Sequence, residues 1–422
     1  MKQAEPIVQN LLLLGGGHSH AIALRMWGMN PVPGVQVTLL TEAGEAAYSG
    51  MLPGHVAGFY NHEDCHIDLH RLAQFAGAQL YLDRAVGLDL DNQRVICANR
   101  PPVAFDWLSI DTGSTPKIPD GLHDPSFLAA KPVRRFLEQW DQLVAAIAQN
   151  PAQPITIAIV GGGAGGVELA LTTQHRIHEI LQRAGQPREN LTLHLFQREA
   201  ELMPQHSSWV RDRCRQLLTQ RQVQLHFKES VATVKLGKIH CESGLTVECD
   251  RLIWVTQATA PDWLGQAGLE VDREGFVLVD DTLRSSHPRV FAVGDVATMA
   301  NHPRPKAGVF AVRQGKPLFE NLHRSLQNQP LKPFRPQKRY LSLIGTGDGS
   351  AIATWGRFGW TSPLLWPAKD WIDRAFMRRF SDLPAMETEG ESHNSNEPQS
   401  SAASPSNFAL RCSGCGAKVG ST

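Results

Sequence analysis

The chain has 422 residues, of which 42% are hydrophobic and 19% charged, and its 41 basic residues balance its 41 acidic ones. This length accommodates two or three domains of about 100–200 residues. Zero net charge without a long run of Lys and Arg argues against a general nucleic-acid-binding protein.

No stretch approaches the roughly 18 apolar residues of a membrane span, and no signal-peptide layout opens the chain, so we expect a cytoplasmic protein.

Seven cysteines are scattered along the chain, and only Cys412 and Cys415 lie close together. Such an odd number favours reduced thiols over a disulfide framework. A zinc site at Cys412 and Cys415 is the weaker alternative, because no second pair follows.

The N-terminal third predicts strands separated by turns and a helix. A strand, glycine turn and helix are expected over Asn10 to Leu24, and a second strand over Val35 to Leu40. Val103 to Asp111 predicts another strand, closed by Thr112 and Gly113. The prolines that follow mark a crossing into a second domain.

A second series of strands begins at Ile155–Val160, which is rich in β-branched residues like a buried parallel strand. Further strands are predicted over Leu191 to Phe196, Leu252 to Thr256 and Val290 to Gly294. Two βαβ patterns on one chain predict an α/β fold with two Rossmann-like three-layer domains.

The C-terminal part predicts a helix from Pro303 to about Leu326 and a hairpin formed by Tyr340 to Ile344 and Ser350 to Trp355. A basic, aromatic helix is expected over Trp371 to Phe380. Residues 381–407 are rich in Ser, Glu, Asn and Pro, which is typical of a disordered linker.

The first glycine-rich turn places Gly15 and Gly17 at the first two positions of G-x-G-x-x-G. The first glycine permits the tight turn, and the second lets the backbone approach a pyrophosphate at a helix N-terminus. His20 stands where the third glycine is expected, so a turn without a ligand is the alternative. Glu42, after the second strand, is the candidate acid for the adenosine ribose, and a solvated loop residue is the alternative.

The second turn has all three glycines, Gly161, Gly163 and Gly166, directly after a convincing strand. Gln197 and Arg198 stand where a ribose-binding acid is expected. An acid favours NADH and an Arg accepts the 2′-phosphate of NADPH, so the choice of donor stays open.

The order of these motifs, followed by Gly294-Asp295 at the end of a strand, resembles the pyridine nucleotide-disulfide oxidoreductase superfamily of flavoproteins. The resemblance implies an FAD unit, an inserted NAD(P)H unit and a return to the FAD unit, over about residues 10–330. Thr256-Gln257-Ala258 departs from the family's strand-end turn. The implied cofactor-binding residues are Gly15, Gly17, His18, Ser19, Glu42, Thr112, Gly113, Gly161, Gly163, Gly166, Gly294, Asp295, Ala307 and Gly308.

Within the superfamily the chain looks like the type II NADH dehydrogenase branch. Its disulfide-reducing relatives need a C-x₂-C or C-x₄-C pair, and none occurs between Met1 and Pro305. The resemblance implies that Glu168 lies near the nicotinamide and that a helix beginning at Lys306 covers the flavin, with Gln314 on the acceptor side. Glu168, Lys306 and Gln314 are therefore the candidate catalytic residues.

Three segments look like the flavoprotein fused ahead of selenide, water dikinase in some bacteria: residues 15–20, Tyr48 to Gly54 and Lys369 to Phe380. The tail, Cys412 to Lys418, resembles the start of that dikinase, which would make Cys415 and Lys418 its catalytic pair. Ala417 departs from the pattern. The ATP-binding body is missing, so we expect that this chain does not phosphorylate selenide by itself.

The predicted domain boundaries follow from these motifs. They are 1–118 for the first part of the FAD domain, 119–280 for the inserted NAD(P) domain, 281–332 for the second part of the FAD domain, 333–380 for a small C-terminal α+β region, 381–407 for the linker and 408–422 for the dikinase-like stub.

Two further patterns each have two interpretations. His62, His66 and His70 share i, i+4, i+8 spacing, which favours a polar helix face over a metal site, so no metal is predicted. In the helix Trp371 to Phe380, an apolar side (Trp371, Ile372, Phe376, Phe380) opposes Arg374, Arg378 and Arg379. That helix docks on the protein itself or lies on the inner face of a membrane.

The predicted function is an FAD-dependent NAD(P)H oxidoreductase that passes electrons to a quinone or another small acceptor, with an oxidised selenium compound as one candidate. A bifunctional selenide, water dikinase and a non-catalytic dinucleotide-binding module are the alternatives. The oligomeric state stays open.

Overall fold

The computed structural model describes residues 7–116, 126–235, 237–256 and 258–384. The predicted linker beyond residue 384 and the dikinase-like stub with Cys415 and Lys418 lie outside these residues. The strands, numbered in chain order, are β1 (Gln9–Leu14), β2 (Val35–Thr41), β3 (Glu45–Ala47), β4 (His66–Asp68), β5 (Gln79–Leu82), β6 (Ala85–Asp89), β7 (Arg94–Cys97), β8 (Val103–Ala104), β9 (Trp107–Ile110), β10 (Thr115–Pro116), β11 (Phe127–Ala129), β12 (Ile155–Val160), β13 (Leu191–Gln197), β14 (Gln224–Phe227), β15 (Val231–Lys235), β16 (Lys238–Cys241), β17 (Thr246–Glu248), β18 (Arg251–Trp254), β19 (Ala258–Thr259), β20 (Val277–Val279), β21 (Val290–Ala292), β22 (Ala297–Met299), β23 (Leu341–Gly345), β24 (Ala351–Trp355) and β25 (Phe358–Ser362).

The helices are interspersed among these strands, and short 3-10 turns cover Arg188–Asn190 and Gly294–Val296. The α-helices are α1 (His18–Met29), α2 (Leu52–Val56), α3 (His62–Cys65), α4 (Leu69–Phe75), α5 (Val133–Gln149), α6 (Ala164–Arg183), α7 (Ser208–Gln220), α8 (Trp263–Gln266), α9 (Gly308–Leu326) and α10 (Leu365–Ser381). No helix within the described residues is long and apolar enough to cross a membrane.

A five-stranded parallel sheet, in the order β21-β9-β1-β2-β5, forms the first core. β1 lies at its centre, and the side chains of Leu11–Leu14 are all buried, as expected for a central parallel strand that is covered on both faces. Helix α1 packs against α9, where Gly315 brings the α9 backbone against Ile22.

A second five-stranded parallel sheet has the order β11-β18-β12-β13-β14. All its strands come between β9 and β21 in the chain, so the second sheet is inserted into the unit that contains the first. β10 and β19 form a short antiparallel ladder, with Thr115 opposite Thr259. The predicted α/β class with two Rossmann-like sheets is confirmed.

Smaller sheets surround the two main ones. The antiparallel three-stranded sheets are β6-β7-β8, β15-β16-β17 and β23-β24-β25, and the two-stranded sheets besides β10-β19 are β3-β4 and β20-β22. The predicted C-terminal hairpin corresponds to β23 and β24, and its third strand, β25, was not predicted.

The single strand predicted over residues 103–111 is wrong. β8 pairs with β7, whereas β9 pairs with β1, so the two belong to different sheets. Phe105 and Asp106 separate them, and the Asp106 carboxylate accepts a hydrogen bond from the Asn10 amide, 2.7 Å away.

The helix predicted from Pro303 begins only at Gly308. Pro305 disfavours the helical conformation of Arg304, the residue before it, and its ring nitrogen has no hydrogen to donate. Lys306 therefore lies on the approach to α9 and not within it, and Ala307 is the N-cap.

The shared helix face predicted for the three histidines is also wrong. His62 opens the four-residue helix α3, His66 opens strand β4, and His70 belongs to α4. Asn61 and Asp64 form a capping box around the start of α3, and the chain becomes extended immediately after Cys65.

Helix α10 is longer than predicted, and its apolar residues are divided between two environments. Its buried stripe consists of Lys369, Asp373, Phe376 and Phe380. Trp371 and Ile372, predicted on the same side as the two phenylalanines, are 66% and 43% exposed. The helix thus docks on the protein along one stripe and leaves two large apolar side chains exposed.

Candidate functional site

The first glycine turn connects β1 to α1. Gly15 has a φ of +96°, and a Cβ there would overlap the backbone of Asp111. Gly17 is the N-cap of α1 and carries no side chain that could cap the helix. The amides of the first turn therefore face whatever group approaches this end, as in sites that bind anions.

Sequence reasoning missed Asp111, which lies at the centre of this site. Its Oδ2 accepts a hydrogen bond from the His20 amide, 3.0 Å away. A Cβ on either Gly17 or Gly294 would overlap its carboxylate, so both glycines are required around it. Burial raises the pKa of Asp111 to about 7, aided by the charge of Asp295 and opposed by the His20 amide. Its place directly before Thr112-Gly113, at the end of a strand, was the available signal.

His20 occupies the third-glycine position and bonds through both ring nitrogens. Nδ1 lies 2.7 Å from the Gly15 carbonyl oxygen, and Nε2 lies 2.8 Å from Ser109 Oγ. Because a carbonyl only accepts, Nδ1 carries the proton and Nε2 accepts from the serine hydroxyl. Burial lowers the pKa of His20 to about 4. The imidazole thus ties the turn to β9, which is a packing role.

The neighbouring residues of α1 face the rest of the site. Ser19 Oγ donates to the Ala311 carbonyl in α9, 2.7 Å away. His18 is half-buried and its ring packs edge-on against that of Tyr48, with centroids 5.4 Å apart. Burial lowers its pKa to about 4, so His18 is neutral at physiological pH.

Three other predicted residues lie at strand ends of the first sheet. Thr112 and Gly113 follow β9, and Gly113 has a φ of +73° that suits a glycine. Glu42 directly follows β2 and is exposed. That position suits a ribose-binding acid and a solvated loop residue equally.

Asp295 lies in the 3-10 turn after β21 and is held by a lysine. Lys131 Nζ lies 2.6 Å from Asp295 Oδ2 and 2.9 Å from Ser114 Oγ. Lys131 follows β11 of the second sheet, so this ion pair connects the two sheets. Sequence reasoning missed Lys131, because nothing local indicates that it reaches a residue 164 positions away.

Gln314 and Lys306 line one cleft with Gly294 and Asp295. Gln314 is buried, and its Oε1 accepts from the Gly294 amide, 2.6 Å away. Lys306 Nζ donates to the Ala297 carbonyl oxygen and lies 3.8 Å from the centre of the Phe276 ring. Burial lowers the pKa of Lys306 to about 8. Next to them, Gly308 approaches Ser49 closely.

The second glycine turn connects β12 to α6. Gly161 has a φ of +119°, and a Cβ on Gly166 would overlap the Gly161 carbonyl oxygen. Gly163 differs, because a Cβ there would meet no atom within 4 Å among the described residues. The fold therefore needs Gly161 and Gly166, whereas Gly163 leaves open space at the N-terminus of α6, where a pyrophosphate fits.

Gln197, at the position expected for a ribose acid, supports this turn. Its Oε1 accepts from the Gly162 amide at 3.1 Å, and its Nε2 donates to the Glu201 carbonyl at 3.0 Å. Arg198 beside it is exposed and paired with Glu199. The altered turn at Thr256-Gln257-Ala258 is described only in part, because Gln257 lies outside the described residues.

Glu168 projects from α6 towards the C-terminal sheet. Its Oε1 accepts from the Gly345 amide at 2.7 Å. Burial raises the pKa of Glu168 to about 7, against the attraction of Lys369 and the Gly345 hydrogen bond. Gly345 also packs against Trp366 of α10, so the C-terminal region covers this carboxyl group.

Both glycine turns have the chemistry of dinucleotide sites: helix N-termini whose N-caps are glycines, a close backbone approach and polar groups at adjacent strand ends. The family model for pyridine nucleotide-disulphide oxidoreductases matches residues 11–315.

Two curated relatives illustrate the similarity. Ferroptosis suppressor protein 1 from Homo sapiens is 25% identical over 280 residues, which cover 63% of this chain and 68% of the relative. The type II NADH:quinone oxidoreductase from Haemophilus influenzae is 24% identical over 289 residues, which cover 61% of this chain and 64% of the relative.

Two solved structures share the fold. The sulfide:quinone oxidoreductase from Aquifex aeolicus superposes with a TM-score of 0.72 at 17% identity, covering 89% of this chain and 92% of its own. NDH2 from Plasmodium falciparum gives a TM-score of 0.73 at 14% identity, covering 89% and 98%.

Proposed function

This chain belongs to the pyridine nucleotide-disulphide oxidoreductase family, and we propose that it transfers electrons from NAD(P)H to a quinone. It is an oxidoreductase that uses FAD and NAD(P)H. When bound, FAD supplies the hydride-accepting chemistry that no side chain provides.

The observation that carries the proposal is the combination of two glycine-turn sites with the absence of a cysteine pair. No C-x₂-C or C-x₄-C spacing occurs between Met1 and Pro305, and none of the five buried cysteines within the described residues forms a disulfide bond. A route through an internal disulfide is thus unsupported, and the electrons would leave directly for a small acceptor.

The first turn and the ends of its sheet would hold FAD, and the second turn would hold NAD(P)H. In the FAD site, amides of α1 would face the pyrophosphate, and Asp295 would face the ribityl chain. The remaining groups of the proposed FAD site are Gly15, Gly17, His18, Ser19, Glu42, Thr112, Gly113, Gly294, Ala307 and Gly308, and those of the NAD(P)H site are Gly161, Gly163 and Gly166.

Glu168, Gln314 and Lys306 would shape the reacting ends of the cofactors. Gln314 and Lys306 would act by holding the Gly294 turn and the chain after Asp295, because their polar atoms already bond to backbone groups there. Glu168 would present a carboxyl group that exists in both protonation states near neutral pH.

A quinone is the acceptor we favour because apolar side chains are exposed in the C-terminal region, as expected of a protein that rests on a membrane. One relative is itself named a type II NADH:quinone oxidoreductase. The exposed apolar residues of this region are Leu341, Trp355, Phe358, Trp360, Leu364, Trp371 and Ile372.

An oxidised selenium compound is the second candidate acceptor. The observation that favours it is the tail Cys412 to Lys418, whose sequence resembles the start of selenide, water dikinase. Reduction of such a compound would supply selenide to a dikinase domain acting as a partner.

The testing experiment compares the parent with Gly163→Val. We expect the purified parent to show flavin absorption bands that bleach on anaerobic addition of NADH or NADPH. Because only open space surrounds Gly163, the variant should fold and keep FAD, yet block the approach of the pyrophosphate. We expect its apparent Kd for the nucleotide to rise at least about tenfold, or 1.4 kcal/mol.

Gly165→Ala is the matched control, since its Cβ would make only an ordinary contact 3.6 Å from Val255. After reduction, a soluble quinone and selenite are added separately. Faster reoxidation by the quinone supports the proposal. Faster reoxidation by selenite would instead identify the oxidised selenium compound as the acceptor. A colourless protein that takes up no added FAD contradicts both.

A further inference from the structure

Three side chains outside the nucleotide sites converge beside the first glycine turn. The side-chain oxygen of Glu45 and one ring nitrogen each from His62 and His66 all lie within 4.8 Å of one another. The spacing pattern in the sequence contained the two histidines but not the glutamate, and its third member, His70, is not in the group.

Local structure places each of the three. In the antiparallel β3-β4 ladder, Glu45 is opposite Asp68 and Ala47 is opposite His66. Glu45 and His66 are thus diagonal neighbours on one face, within reach of long side chains. His62 is the first residue of α3, whose start is fixed by the Asn61 capping box.

The hydrogen bonds of His66 determine which of its nitrogens is available. Nδ1 lies 2.7 Å from the His62 carbonyl oxygen. Since a carbonyl only accepts, Nδ1 carries the proton and the lone pair is on Nε2. That Nε2 is buried and has no hydrogen-bond partner among the described residues. An Nδ1–H bonded to a backbone carbonyl is also the arrangement that orients metal-binding histidines.

The other two groups complete a set of donors. His62 Nε2 lies 2.8 Å from Glu45 Oε2, and the His62 and His66 rings stack with centroids 3.7 Å apart. Two imidazole nitrogens and one carboxylate oxygen suit a borderline ion such as Zn²⁺, whereas Mg²⁺ and Ca²⁺ prefer oxygen ligands only.

We propose that Glu45, His62 and His66 bind one divalent transition-metal ion of the zinc class. Three protein ligands leave a fourth tetrahedral position for water. The site is attached to the first glycine turn, because the Tyr48 amide donates to the Cys65 carbonyl at 2.7 Å and the Tyr48 ring packs on His18. A bound ion would therefore hold β3 and β4 in place beside that turn.

The test uses the full chain with Cys412→Ser and Cys415→Ser, since that cysteine pair could itself bind zinc. After chelator treatment, Zn²⁺ is titrated against a chromophoric competitor. We expect one ion per chain, zinc bound far more tightly than Mg²⁺, and only nitrogen and oxygen neighbours in zinc-edge X-ray absorption.

The variant His62→Ala/His66→Ala should lower the zinc affinity by at least about 100-fold, since even supporting residues around a metal cost 10–100-fold. If the double variant fails to fold, as judged by circular dichroism, the single variant His66→Gln is measured in its place. His70→Ala is the matched control and should bind as the parent does. Parental affinity in the cluster variants, no stoichiometric binding by the parent, or an equal loss in His70→Ala would each overturn the proposal.

Discussion

The carboxyl group of Asp111 lies where the Gly17 turn, the Gly294 turn and the N-terminus of α1 meet. Two effects compete there. The helix N-terminus favours a negative charge, whereas burial and the charge of Asp295 disfavour it. Burial has the larger effect, so the pKa of Asp111 rises from 3.8 to about 7.

This shift makes a prediction about stability and pH. Between about pH 4 and 7 the folded protein retains a proton on Asp111 that the unfolded chain releases, so this group's contribution to the free energy of unfolding falls as pH rises through that window. Asp111→Asn keeps an oxygen acceptor for the His20 amide but does not ionise. We expect the stability of this variant relative to the parent to increase by about 3 kcal/mol between pH 5 and pH 8, because the destabilisation of the parent is only partly developed at pH 5.

Urea unfolding of both proteins, in the same cofactor state, measures this difference. The comparison between proteins is essential because Glu168, whose pKa is also raised, makes the parent's stability vary in the same direction. Asp106→Asn is the control, because Asp106 directly precedes β9 whereas Asp111 directly follows it. An Asp111→Asn effect that is equal at both pH values would contradict the assignment.

Among elements, α10 shows how a buried ion pair can fix a helix. Lys369 Nζ lies 2.6 Å from Asp373 Oδ2 and donates to the Gly50 carbonyl, while Tyr48 donates to Asp373. Both charged side chains are more than nine-tenths buried. The sequence predicted an apolar side formed by Trp371, Ile372, Phe376 and Phe380. In the structure, Lys369 and Asp373 instead form the first part of the buried stripe.

Removing one partner of the Lys369–Asp373 ion pair should lower the free energy of unfolding. Lys369→Ala leaves the Asp373 carboxylate buried without its cation, so we expect a loss of about 3–5 kcal/mol in the free energy of unfolding. Lys369→Met/Asp373→Leu removes both charges and should recover part of that loss. Lys316→Ala removes one member of an exposed pair on α9 and should cost less than about 1 kcal/mol. Equal losses in Lys369→Ala and Lys316→Ala, measured by urea unfolding, would refute this account.

For the whole molecule, the C-terminal region both covers Glu168 and exposes apolar side chains. The Glu168–Gly345 hydrogen bond connects α6 to β23, whereas Trp371 and Ile372 of α10 are exposed. This region is therefore the part of the described chain that we propose contacts a membrane.

The corresponding prediction concerns vesicle binding. We expect the parent to sediment with anionic lipid vesicles and Trp371→Ser/Ile372→Ser to bind at least about tenfold more weakly, because burial of apolar area stabilises the bound state by about 25 cal/mol per Å². Leu82→Ser, at an apolar residue 52% exposed on the edge of the first sheet, is the control. An unchanged partition of the double variant would exclude α10 as the contact.

The sequence by itself determined the two strand–glycine turn–helix units and the α/β class. These depend on residues within about a dozen positions, such as Gly161, Gly163 and Gly166 after an apolar strand, and local sterics and helix geometry dictate their conformation. The family resemblance that the order of these motifs carries also implied the insertion of one sheet's strands between those of the other.

Only the tertiary structure decided which distant groups meet. Asp111 between two glycine turns, Lys131 on Asp295, Gly345 on Glu168 and Glu45 beside two histidines all join residues that no local pattern relates. The same holds for protonation, since the raised pKa of Asp111 and the lowered pKa of His20 follow from burial. Burial depends on how the sheets and helices pack, and the chain's periodicity does not encode it residue by residue.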